Sequence, residues 1–290
     1  MNSDAEAAGG RGPGQVAGKV IVITGAGSGI GRALAVNLAR RGALLALSDQ
    51  DEAGLADTVA MLGSAKLRSD RLDVRDRTAM AAYAAAVAEE FGTVNVVINN
   101  AGVALTGSVL DMTYQDMEWI LDIDFWGVVN GTKEFLPYLI RSGDGHIVNL
   151  SSLFGLLGIP GQSAYNAAKF AVRGFTESLR QEMVAARLPV RVTSVHPGGI
   201  KTAIARNARV AAGEDQAALA EYFDRKLAKM EPERAAEIIV RGMLAGKGRV
   251  IVGADAKALH LFQLVLGWRY QNVVAAVTRN RVPQRKVGLR

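Results

Sequence analysis

The junction that most constrains this chain joins the run Lys19-Val-Ile-Val-Ile-Thr24 to the loop Gly25-Ala-Gly27-Ser28-Gly29-Ile30-Gly31. An unbroken β-branched run ended by Gly reads as a buried strand of a parallel sheet. The apolar pattern from about Ile30 to Arg41 reads as a helix. Strand, glycine loop and helix in that order form a phosphate cradle. Gly25 lets the chain turn sharply, Gly29 lets backbone approach a pyrophosphate, and Gly31 permits close helix–strand packing. Amides around Ser28 and Ile30 at the helix start then face negative charge. A glycine loop alone only marks a turn; its place between strand and amphipathic helix makes it a nucleotide site.

The spacing Gly-x-x-x-Gly-x-Gly differs from the Gly-x-Gly-x-x-Gly of other dinucleotide folds, and lacks the Lys-Ser/Thr ending of a P-loop. Asp49 closes the second strand candidate, Ala43–Ser48, twenty-four residues after Gly25. A carboxylate there bonds the adenosine ribose hydroxyls and repels a 2′-phosphate, which favours NAD over NADP. No Lys or Arg stands beside Asp49 or between Gly27 and Gly31. The competing reading of Asp49 is a solvated strand-end residue.

Further strand candidates are Lys66–Asp73, Val94–Asn99, His146–Leu150, Val190–Val195 and Arg249–Val252. Helical patterns fill 51–62, 76–91, 113–126 continuing toward 140, 163–186 and 232–245. Alternation of this kind predicts an α/β fold, a doubly wound parallel sheet with helices on both faces. The 290 residues, nearly half hydrophobic, suffice for one large core. Residues 1–17 read as a disordered lead without the apolar segment of a secretory signal. No run reaches the roughly 18–20 apolar residues of a membrane span. The absence of cysteine removes disulfides and thiolate chemistry and agrees with a reducing, cytoplasmic setting. Three scattered His disfavour a metal site. The net charge of +6 is partly concentrated in the tail, with no basic stripe interleaved with aromatics, so nucleic acid is not an expected partner.

The chemistry centres on Tyr165 and Lys169, four apart in the Ala-rich helix candidate and so on one face. A free phenol, with a pKa of about 10, is a poor base at neutral pH. A nearby ammonium favours the phenolate, so a lowered Tyr165 pKa is expected, and such a Tyr can exchange a proton with a hydroxyl or carbonyl oxygen. Tyr222 and Lys226 share the spacing. Only the first pair has a serine, Ser152, thirteen residues upstream at the end of an apolar strand candidate.

Together, Thr24–Gly31, Asn99-Asn100-Ala101-Gly102, Ser152, Tyr165-x-x-x-Lys169 and Pro197-Gly198 resemble the short-chain dehydrogenase/reductase family over roughly residues 18–255. The resemblance implies a Rossmann-type sheet of about seven strands in a single domain. It implies Tyr165 as acid/base, Lys169 as the group that lowers its pKa and holds the nicotinamide ribose, and Ser152 as a hydrogen-bond partner of the reacting oxygen. Asn100, Ala101 and Gly102 would shape the cofactor pocket, and Asp73-Val74 would meet the adenine. Pro197, Gly198 and Thr202 would flank the nicotinamide. The cofactor would carry the hydride while the protein supplies position and a proton.

One departure stands out. Many members carry Asn-x-x-Gly where this chain has Asp124-Phe-Trp-Gly127. The family Asn helps to hold a water in the proton relay, largely through its backbone carbonyl, so Asp124 is expected to serve. Its carboxylate would raise the pKa of Lys169 if the two are close.

Between Ser152 and Tyr165, Leu153–Pro160 carries no charged side chain, and Val103, Ala104 and Leu105 are also apolar. These walls suit an apolar secondary alcohol or ketone; ordinary core packing is the competing reading. By resemblance, residues 199–230 form a substrate lid, and subunits pair through 113–140 and 163–186 as a homodimer or homotetramer. Residues 256–290 form an extension, with an apolar segment Leu259–Trp268 and a basic tail. Packing within an oligomer is its expected role, and contact with a membrane surface is the alternative. The leading function is NAD-dependent oxidoreduction, with a non-catalytic NAD(P)-binding sensor or scaffold as the alternative.

Overall fold

The computed structural model describes residues 15–279. The chain runs β1 (Val20–Thr24), α1 (Gly29–Ala39), β2 (Leu44–Asp49), α2 (Glu52–Ala60), β3 (Leu67–Arg71), α3 (Arg77–Phe91) and β4 (Val96–Asn99). After β5 (Leu105–Thr106) come α4 (Tyr114–Leu121), α5 (Gly127–Arg141), β6 (Gly145–Leu150), α6 (Ser163–Ala185) and β7 (Val190–Pro197). The rest comprises β8 (Arg209–Val210), α7 (Gln216–Tyr222), α8 (Pro232–Leu244), β9 (Arg249–Val252), α9 (Ala254–Leu266) and α10 (Tyr270–Thr278). Seven strands form one sheet in the order β3-β2-β1-β4-β6-β7-β9, and every pairing in it is parallel.

Strand period two divides the core between the sheet's faces. Ile21 and Ile23 point to the layer of α1 and α8, with Leu34, Leu38, Ile239 and Val240. Val20 and Val22 point to the layer of α3, α5 and α6, with Met80, Phe135, Leu139 and Leu179. Side-chain caps define helix starts: Asp51 accepts from the Gly54 amide, Asp76 from Ala79, and Thr113 forms a reciprocal capping box with Asp116.

The expected Rossmann-type order holds, and strand order reverses between β1 and β4. In open α/β sheets the crevice at such a reversal, at the carboxyl ends of the strands, receives the ligand. Some boundaries differ from expectation. Val16, placed by sequence in the disordered lead, is 4% exposed and packs on α1's core layer; burial of an apolar side chain overrides a Gly-rich neighbourhood. Residues 1–14 and the basic tail from 280 onward lie outside the described residues. The pattern at 113–140 is broken by a π-helical turn at Asp122–Trp126. The 199–230 segment, expected as a lid, is built from short elements. It contains β8, which pairs with β5 in a separate two-stranded ribbon, then α7 and a second π turn.

Candidate active site

The glycine loop is built for close approach. Gly25 has φ +65°, and a Cβ there would lie 2.7 Å from the Ala101 backbone. At Gly31 a Cβ would lie 2.0 Å from the Gly25 carbonyl oxygen, so only glycine fits. The loop is fastened to the next strand across the reversal. Thr24 Oγ1 accepts from the amides of Asn100 and Ala101, each at 3.1 Å. Asn100 Nδ2 donates back to the carbonyls of Thr24 and Gly25. Ser28 ends the loop in extended conformation before α1, with Ile30 in its first turn. A tight loop of this kind, held in place by backbone approaches that only glycine allows, before a helix start, fits a dinucleotide pyrophosphate.

Asp49 ends β2 beside the loop, and its Oδ2 accepts from the Gly27 amide at 2.7 Å. Sequence reasoning missed Arg32, one turn into α1. Its guanidinium donates to the carbonyls of Gly27 and Gly54 and to Thr58 Oγ1. It is thus tied beneath the loop by contacts that local spacing does not reveal. Asp73 pairs with Arg75 at 2.6 Å, while Val74 is buried against Gly127 and its carbonyl accepts from Asn130. Across the cleft, the Thr202 methyl lies opposite Gly29. Pro197 ends β7, and the Gly198 amide donates to Val252. Asp255, from α9, accepts the Gly199 amide at 2.9 Å.

The proposed chemical groups meet at the carboxyl ends of β4, β6 and β7. Ser152 lies two residues beyond the end of β6, and its Oγ accepts from the Phe154 amide. Ser151 Oγ donates to the carbonyl of Lys169, anchoring that turn of α6 to the sheet. Lys169 Nζ lies 5.6 Å from the centre of the Tyr165 ring and 3.0 Å from Asp124 Oδ2. It also donates to the Leu150 carbonyl at 3.4 Å. The π turn widens the α4–α5 connection and aims Asp124 inward. Such bulges recur at functional sites. Asp124 is fully buried, and its Oδ1 accepts from the Val103 amide at 2.8 Å. Gly102 leaves room between Lys169 and Asp124.

Electrostatics correct one expectation. Burial pushes the Tyr165 phenol above its ordinary pKa; the pull of Lys169 downward is outweighed, with Asp124 adding to the rise and a hydrogen bond from Ser152 opposing it. Burial disfavours the Lys169 ammonium, but Asp124 and Tyr165 more than offset this and its pKa rises. Burial also raises the Asp124 pKa, against Lys169 and the Val103 amide. The carboxylate in place of the family's Asn therefore secures the charge on Lys169 and makes the phenol harder to ionise.

His196 was not singled out by sequence. Its Nδ1 lies 3.0 Å from the Ser152 carbonyl and its Nε2 lies 2.9 Å from Ser194 Oγ. A carbonyl only accepts, so Nδ1 carries the proton and the neutral ring steadies the Ser152 backbone. Burial lowers its pKa to about 4. The Leu153–Pro160 loop divides its roles. Leu153 and Leu157 are core residues beneath α9 and α10, whereas Phe154 also meets the Tyr165 ring edge-on at 6.1 Å.

The family description "short chain dehydrogenase" matches residues 19–212. The chain belongs to the short-chain dehydrogenase/reductase family. It is 63% identical over 261 residues to the putative oxidoreductase SadH of Mycobacterium tuberculosis, covering 89% of this chain and 95% of that protein. A short-chain dehydrogenase/reductase of Burkholderia phymatum, solved in complex with NAD, superposes with a TM-score of 0.80 at 30% identity. That match covers 95% of this chain and 99% of the other. Levodione reductase superposes at 0.73 with 30% identity, over 84% of this chain and 100% of its own. As a member of this family, the protein is a nicotinamide-dependent oxidoreductase rather than the non-catalytic scaffold held open by sequence.

Proposed function

We propose that this dehydrogenase interconverts an apolar secondary alcohol and its ketone, with NAD preferred. The observation that carries the reading is the convergence of Tyr165, Ser152 and Lys169 at one crevice edge, beneath Phe154 and beside the glycine cradle. Tyr165 takes the hydroxyl proton during oxidation and returns it during reduction. Ser152 orients the reacting oxygen, and Lys169 favours the phenolate by its charge. The nicotinamide supplies the hydride acceptor or donor when bound. The cradle of Gly25, Gly27, Ser28, Gly29, Ile30 and Gly31 receives the pyrophosphate. Asp49 faces the adenosine ribose and disfavours a 2′-phosphate. Asp73 and Val74 border the adenine, Asn100 to Gly102 line the pocket, and Pro197, Gly198 and Thr202 flank the nicotinamide. The NAD-bound relative supports the cofactor class.

A panel of apolar and charged ketones, followed by loss of NADH and of NADPH fluorescence, tests this reading. Turnover of apolar ketones with NADH is expected. Preference for charged substrates, or for NADPH, would overturn the corresponding part.

A further inference from the structure

The C-terminal helices α9 and α10 present two faces. Inward, Ala256, Phe262, Leu266, Tyr270 and Val274 join Leu153, Leu157 and Ile251 in one apolar cluster. Outward, Leu261, Leu264 and Val265 lie at three- and four-residue intervals on one stripe of α9, and Trp268 follows in the turn beyond Gly267, where that helix ends. All four are exposed, Val265 at 75% and Trp268 at 69%. Val273 and Val277 add exposed apolar surface from α10. The inward residues are taken up by the protein's own core, so the helix needs no polar face of its own; only the outer stripe lacks a partner among the described residues.

Charge distinguishes the occupants. From residue 256 to the end the sequence carries Lys257, Arg269, Arg279, Arg281, Arg285, Lys286 and Arg290, and no Asp or Glu. Exposed Lys257 and Arg269 bracket the stripe. We propose that this face docks on an anionic phospholipid surface. Leu, Val and Trp side chains enter the headgroup boundary while Lys and Arg stems extend to the phosphates. A two-fold pairing of this face with a second copy would set like charges against each other. By the family resemblance, subunits pair through 113–140 and 163–186, segments that do not include this stripe. Among the described residues no helix is long and apolar enough to cross a membrane, so the element lies on the surface.

The test is cosedimentation of the full chain with vesicles of mixed phosphatidylglycerol and phosphatidylcholine, against pure phosphatidylcholine. Binding to the mixed vesicles only, weakened by salt, is expected. Leu264→Glu with Val265→Glu should lower vesicle affinity by about tenfold or more, the worth of burying one large apolar side chain. Circular dichroism and NADH binding check the fold, and the milder Leu261→Gln serves if the double variant does not fold. Failure of the wild-type chain to bind mixed vesicles overturns the proposal. So does vesicle binding untouched by the substitutions, or a smaller assembly of the variant in sedimentation velocity, which would assign the face to a second copy.

Discussion

The hydroxyl of Tyr270 accepts a hydrogen bond from the Gly158 amide at 2.8 Å, across 112 residues of sequence. It fastens the C-terminal extension to the loop between Ser152 and Tyr165. Tyr270→Phe leaves that amide unpaired in a partly buried position, at a cost of about 1 kcal/mol. The expected result is a several-fold rise in KM for an apolar ketone with NADH affinity unchanged. Steady-state kinetics beside an NADH fluorescence titration separates the two; an equal loss of cofactor binding would contradict a local effect on the substrate wall.

Tyr165→Phe removes the exchangeable proton while keeping the ring edge packed on Phe154. Turnover should fall by about 10²–10⁴ while NADH still binds. Substantial remaining turnover would move the acid/base role to another residue.

Asp124→Asn removes a buried negative charge 3.0 Å from Lys169 while retaining an acceptor for the Val103 amide. Asp124 raises the Tyr165 pKa, so its neutralisation lowers that pKa. The rising limb of alcohol oxidation against pH should move to lower pH, with turnover held within about tenfold. A gain of several orders of magnitude in an unchanged fold would show that the carboxylate is not tolerated but inhibitory.

Asp49→Ala withdraws the acceptor of the Gly27 amide along with the charge proposed to face the ribose. Loss of a hydrogen bond to a charged group costs about 1.5–3 kcal/mol, so NAD affinity should drop by about tenfold or more and the NAD-to-NADP ratio should fall. An unaltered ratio in paired titrations would remove Asp49 from cofactor selection.

Acid should destabilise the fold before its carboxylates titrate. Burial holds His146 at about 3 and His196 at about 4, against an ordinary 6.5. The unfolded chain therefore binds more protons below 6.5. Stability is complete above that value and declines as pH falls toward the folded pKa values. At about pH 5 each histidine costs about 2 kcal/mol. Tm should fall steadily between about pH 7 and pH 5 by circular dichroism; a flat profile would mean that the rings are not held neutral.

The sheet and the cradle were legible because both are written in local chemistry. Unbroken strand-like runs, buried along their whole length, marked β1 and β6, and obligatory glycines marked the loop. Tyr165 and Lys169 were legible as a helical pair. Other features arise only from contacts between distant segments. Arg32 beneath Gly27, Asp255 on the Gly199 amide and His196 behind Ser152 have no periodic signature. The two-residue strands β5 and β8 are too short for alternation to register. The direction of the Tyr165 pKa shift depended on burial and on the third charge at Asp124, neither of which a four-residue spacing reports.

Thr24 accepts two amides from the residues that follow β4 across the reversal, and the Asn100 side chain donates twice in return. Such reciprocal stitching leaves the halves of the sheet no freedom to slide or splay. The resemblance implies that residues 199–230 cover the crevice, and admission and release of reactants are then expected to depend on their movement while the floor stays still. Amide exchange should divide accordingly, slow along β1 and β4 and fast in that covering segment.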